Sequence, residues 1–162
     1  MRRAIAAAAA SLLAACGASE PALDEPPMYK YSSVESAVAE AGQTLDVFWT
    51  AFESGDPALS DFRVSIPLPG TEYVTDYAWV EYLQRGGDGA VRGILSLEED
   101  KIDGLRPGDA VNFIESDIVD WRYEEEGRLR GAYVMRAMLE TGPARDADID
   151  NLRARFHDSP VP

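Results

Sequence analysis

From Ser32 onward, apolar residues recur at helical spacing: Val34, Ala37, Val38, Ala41, Leu45, Phe48, Trp49 and Phe52 share one face of a helix. Ser32 with Glu35 three positions later makes a capping box, and Gly55 after Ser54 supplies a stop. The spacing predicts one amphipathic helix whose aromatic end packs on a sheet. The period then falls to two. Phe62, Val64, Ile66 and Leu68 alternate with Arg63, Ser65 and Pro67, which predicts a strand, and the proline places it at a sheet edge. Residues 71–84, dense in Tyr, Trp, Val and Thr, read as a second strand, and "RGGDG" at 85–89 turns the chain into a third through Val91 and Leu97. "EEDKIDGLRPGD" crosses over, and Pro107-Gly108-Asp109 turns into a strand with Val111 and Phe113 inward. A last hairpin pairs Ile118–Tyr123 with a strand from about Arg130 to Met138, its tip at Glu125-Glu126-Gly127.

These elements define an α+β domain over residues 31–140: an N-terminal amphipathic helix packed on a strongly bent, mostly antiparallel sheet of about six strands. Residues 141–162 read as a polar, acidic and mobile tail, in which "DADIDNLRARF" predicts a short helix with aspartates in its first turn.

Upstream, the picture changes. "MRRAIAAAAASLLAAC" has two arginines, an apolar run from Ala4 to Ala15 and then the chain's single cysteine. That run fits the roughly 7 to 15 residues of a signal-peptide core and falls short of the roughly 20 of a membrane span. "LAAC" before Gly17 resembles the lipobox of bacterial lipoproteins, which implies removal of residues 1–15 and acylation of Cys16, anchoring the chain in a lipid bilayer. The absence of an aspartate after the cysteine implies, in a Gram-negative host, an outer-membrane protein facing the periplasm. Residues 16–30, rich in Pro, Ala and acids, read as an extended linker that holds the domain about 40 Å from the lipid.

Charge and composition then narrow the chemistry. The formal charge is −14, and loss of Arg2 and Arg3 with the signal makes it two units more negative, which excludes nucleic acid as a partner. With Cys16 acylated, no intrachain disulfide forms. The single histidine, His157, is the sixth residue from the end, which argues against Ser-His-Asp catalysis and against His/Cys zinc sites. Asp146, Asp148 and Asp150 begin an EF-hand-like spacing, but Asn151 stands where the turn glycine belongs and His157 where the bidentate glutamate belongs. No cofactor or metal is implied. Carboxylate catalysis needs two acids facing across a cleft, and Asp109 and Asp120, each beside a strand end, are the candidates.

The stretch "IVDWRYEEEGRLRGAYVMR" admits two readings. Alternation places Trp121 and Tyr123 on one face, where with Tyr133 they clamp the hairpin, while Gly131 allows a close backbone approach and Asp120 pairs with Arg136 across the strands. Alternatively, these residues form an exposed aromatic and acidic recognition patch.

Residues 33–139 resemble the YegJ-like bacterial family known as domain of unknown function 2314. The resemblance rests on Trp79-Val80, Gly93 with Leu95, Gly108-Asp109 with Val111 and Phe113, Ile118 with Asp120-Trp121 and Tyr123, Gly131 with Tyr133, and Arg136. It implies a domain without an assigned activity. The leading expectation is a non-enzymatic envelope module that binds a protein or small ligand through Asp109, Asp120, Trp121, Tyr123, Tyr133 and Arg136. An immunity protein covering a basic toxin, and a two-carboxylate cell-wall hydrolase, are the alternatives.

Overall fold

The structure, a computed structural model, describes residues 29–67, 77–96, 105–141 and 147–162. The signal, Cys16, residues 16–28 of the expected linker, Leu68, residues 71–76 and Asp146 lie outside the described residues. Among those described, the order is α1 (Tyr29–Gln43), α2 (Leu45–Ser54), β1 (Leu59–Pro67), β2 (Tyr77–Arg85), β3 (Ala90–Ser96), β4 (Ala110–Ile114), β5 (Asp120–Glu125), β6 (Arg128–Gly131), α3 (Tyr133–Thr141) and α4 (Ala147–Arg153). The six strands form one antiparallel sheet in the order β4-β3-β2-β1-β5-β6. The expected α+β class is therefore observed.

The expected single helix is interrupted at Thr44, and it begins at Tyr29 rather than at a Ser32 cap. The break has a purpose in the packing: the Ala41 carbonyl, released from a regular helical bond, accepts the indole N–H of Trp121 at 3.0 Å. Gly42 and Thr44, both weak helix formers, make the interruption easy.

β1 is not an edge strand. It lies between β2 and β5, and Pro67 is tolerated because it is the last strand residue, beyond the point where pairing with β5 ends at Ser65–Asp120. Val64 faces Val80 on one side and Trp121 on the other, so these three point to the same face, onto which Phe48 packs from α2. That face is the main core, in which Phe48, Val64, Val80 and Trp121 are all 0% exposed.

The last hairpin turns at Glu126 and Gly127, both with positive φ (53° and 75°), as a two-residue type I′ connection requires. Its second strand is shorter than expected. It stops at Gly131, and residues 133–141 are helix, not strand.

The expected mobile tail is docked. Leu129 bridges Phe156 in parallel, the Leu129 amide donates to the Arg155 carbonyl at 2.7 Å and the Gly131 amide to the Pro160 carbonyl at 2.8 Å. This covers the free edge of β6, which otherwise offers its unpaired backbone to any passing strand. Phe156, Leu129 and Ala132 form a second small core there, with Met135, Leu139 and Leu152 around it. α4 is the short helix expected from the sequence.

Candidate functional site

Successive strand residues face opposite ways, so Asp120 and Trp121 at the start of β5 belong to the two sides of the sheet. On the core side, Trp121 stacks with Tyr123 (centroids 6.0 Å apart) and meets Tyr133 edge-on at 5.6 Å. The clamp is real, although Tyr133 supplies its part from α3 instead of from a paired strand. The alternative of an exposed patch fails, because Trp121, Tyr123 and Tyr133 are 0%, 1% and 6% exposed and cannot meet a partner's surface.

Asp120 lies on the other side, 1% exposed, beside Ser65 of β1, which in turn lies beside Trp79 of β2. Its Oδ1 accepts the amides of Trp121 at 2.8 Å and Tyr133 at 3.0 Å, and its Oδ2 accepts the amide of Val134 at 3.0 Å. The first amides of a helix have no intrahelical acceptor, and here a carboxylate from a distant strand takes the place of a local cap. The chain reaches α3 through Gly131 and Ala132, both left-handed (φ 68° and 56°), which turns those amides toward Asp120. Burial pushes the Asp120 carboxyl from its ordinary 3.8 to about 7, overriding the three amide bonds and the nearby Arg136 charge, which all favour the ionised form.

The expected Asp120–Arg136 ion pair is not formed. Arg136 sits on α3 and its guanidinium donates to the carbonyls of Gly131 (2.8 Å), His157 (2.9 Å) and Leu129 (3.2 Å), while its plane lies 4.6 Å from the centre of the Phe156 ring. Arg136 is the clamp of the C-terminal segment. Arg136→Lys, which keeps the charge but loses the planar fork, should lower stability by about 2 kcal/mol in a denaturant titration; an unchanged midpoint would show that the segment is held without it.

Asp109 does not join Asp120. It closes a turn, accepting the Arg106 amide at 2.9 Å before β4, and β4 is separated from β5 by three intervening strands. At about 4.8 Å per strand spacing, the two acids are some 19 Å apart across the sheet. The expected acid pair is therefore not assembled.

What gathers around Asp120 instead is a cavity of about 150 Å³, lined by Ser65, Tyr77, Trp79, Asp120, Val134, Met135 and Met138. β1 and β2 supply its floor and one side, and α3 supplies the opposite wall. Next to it on the same face, the Arg122 guanidinium lies 5.2 Å from the centre of the Trp79 ring. Asp61 bridges Arg63 at 2.7 Å and Arg122 at 3.0 Å, and Arg63 also meets Glu81 at 3.2 Å and the Ser96 hydroxyl at 2.9 Å. Burial lowers the Arg122 pKa from its ordinary value, and its Nε is buried without a hydrogen-bond acceptor among the described residues. A larger cleft of about 490 Å³ opens between α1 and α3, where Glu40, Tyr133, Arg136 and Glu140 contribute to the walls.

Ser65, Tyr77, Trp79, Met135 and Met138 were not among the candidates read from the sequence. The alternation of β1 and β2 does place Ser65 with Arg63, and Tyr77 with Trp79, on the non-core face. Only the register of the sheet brings them to Asp120.

Fold and site thus define a small α+β domain in which α1 and α2 cover one side of an antiparallel sheet, and the buried acid Asp120 opens on the other into a cavity walled by α3. The chain belongs to the family described as "Uncharacterized protein conserved in bacteria (DUF2314)", whose model matches residues 32–148. No curated protein and no solved structure matches the chain.

Proposed function

We propose that the protein is a lipid-anchored, non-enzymatic binding module of the bacterial cell envelope, whose ligand or partner engages the outer sheet face at the Asp120 cavity. Acylated Cys16 holds it on the bilayer, at the periplasmic side of the outer membrane in a Gram-negative host. The observation that carries the binding reading is the cavity itself: a buried carboxyl and two aromatic side chains lining one recess beside an interlocked arginine–acid patch. Support for a non-enzymatic role comes from Asp120 being the only acid among the described residues lining that cavity, since glycoside hydrolysis by carboxylates uses a facing pair.

Purified without denaturation from the envelope of its own host, the protein should carry a non-covalent adduct in native mass spectrometry. A Trp79→Ala variant that still melts cooperatively should lose it. A wild-type protein free of any adduct, and giving no crosslink in cells from a photoreactive residue at Glu81, would remove the binding reading. Cys16→Ser should move the chain from the membrane to the soluble fraction; retention in the membrane would remove the anchor.

A further inference from the structure

We infer that the Asp120 cavity takes a small organic cation, a primary or methylated ammonium group, which supplies the positive charge that Asp120 otherwise lacks. This rests on the binding reading above and adds the chemical class of the ligand.

An aspartate 1% exposed is rarely found without a cation beside it, because a carboxylate removed from water needs compensation. Asp120 has no ion pair among the described residues. Its three partners are backbone amides, and Arg136, the nearest guanidinium to it in charge, is turned to three carbonyls. Oδ1 carries two donors and Oδ2 one, so Oδ2 keeps a lone pair for a further donor. The cavity that Asp120 lines is where such a donor fits.

The other walls select the kind of cation. Trp79 and Tyr77 present aromatic rings, whose faces attract positive charge, and Met135 and Met138 present polarisable thioethers one helical turn apart. The Arg122 guanidinium resting over Trp79 already shows that ring attracting a cation. A hard metal ion is poorly served, because calcium takes six to eight oxygens and the walls offer few. At about 150 Å³ the cavity holds a compact headgroup and not an extended chain.

Binding requires the ionised form of Asp120. Among the described residues, the titratable and charged groups that act on it are Tyr77 from β2 and Tyr133 and Arg136 from α3; β1 contributes Ser65, and Arg122 stands two residues along β5. Both tyrosines are raised above their ordinary 10.0 and stay neutral, and Arg136 stays charged, so of these groups Asp120 is the one that changes state near neutrality. Affinity should therefore fall about tenfold for each pH unit below 7 and level off above it, with release of a proton on binding.

The test uses the mature full-length chain in detergent, with methyl-labelled methionine, titrated with trimethylammonium and with butylammonium chloride. Saturable shifts of the Met135 and Met138 methyl signals are expected, absent with sodium or potassium at equal ionic strength. Trp79→Ala and Met138→Leu should each weaken binding, the former by about fivefold or more. Asp120→Asn is the direct variant, and the other two keep the proposal testable where that chain does not fold. Equal shifts from sodium, an affinity independent of pH, or no shift with either ammonium would overturn the proposal. If neither ammonium binds while the host-purified protein still carries an adduct that Trp79→Ala removes, the cavity stands and the ligand class is wrong. Failure of both removes the site.

Discussion

Asp120→Ala will destabilise the domain by about 4 kcal/mol at pH 5, the sum of several buried amides left without an acceptor. The Trp121, Tyr133 and Val134 amides, all bonded at 2.8 to 3.0 Å, lose their common partner, and re-entry of water through the adjoining cavity recovers only part of that loss. Asn should be milder, because its carbonyl oxygen still serves two amides while its NH₂ group confronts the third as a donor. The penalty should shrink as the pH rises. With the carboxyl at about 7 folded and 3.8 unfolded, the folded chain holds a proton between those values that the unfolded chain has released. Its stabilising contribution is then complete below about pH 4 and is lost as the pH climbs through 7, amounting at most to about 4 kcal/mol. Denaturant titrations of wild type and variant at pH 5 and pH 8 measure the difference directly. A gap that widens toward pH 8 would mean that the three amides outweigh burial and hold Asp120 ionised.

Gly131→Ala should be of similar size, about 3 kcal/mol or more, for a different reason. Gly131 has φ 68°, and a methyl group built on it would overlap the carbonyl oxygen and the indole ring of Trp121, which is 0% exposed and central to the core. Gly127 provides the comparison. It has φ 75° but open space around it, so Gly127→Ala carries only the left-handed strain of about 1 kcal/mol. The excess of the first loss over the second in a denaturant titration isolates the clash; equal losses would show that Trp121 moves aside at little expense.

Much of the architecture is legible in the chain because it is written in short-range periods. The spacing from Val34 to Phe52 is helical, and the alternations around Val64 and Val91 are strands. Misreadings arise where a distant group decides. Tyr133-Val134-Met135 alternates like a strand, yet it becomes helix because Asp120 caps its amides from β5, and because Ala132 adopts a φ of 56° that no local rule assigns to alanine. Pro67 suggested an edge because the sequence does not say where a strand ends. Phe156 fixes the tail through contacts with β6 and does not look exceptional in its own neighbourhood, while Arg136 stands out in the sequence but holds backbone carbonyls of β6 and the tail instead of Asp120. The site divides in the same way: Asp120 stands out as an acid among apolar residues, but Ser65 and Trp79 reach it only through the register of three strands.

The cap on α3 also ties the cavity to the sheet. A nine-residue helix without a local cap is too short to persist alone, so α3 depends on the Asp120 cap from β5 and on its packing against α1. The cavity wall carrying Met135 and Met138 therefore stands only while those contacts hold, and their loss would leave the aromatic residues of the sheet with no recess to line.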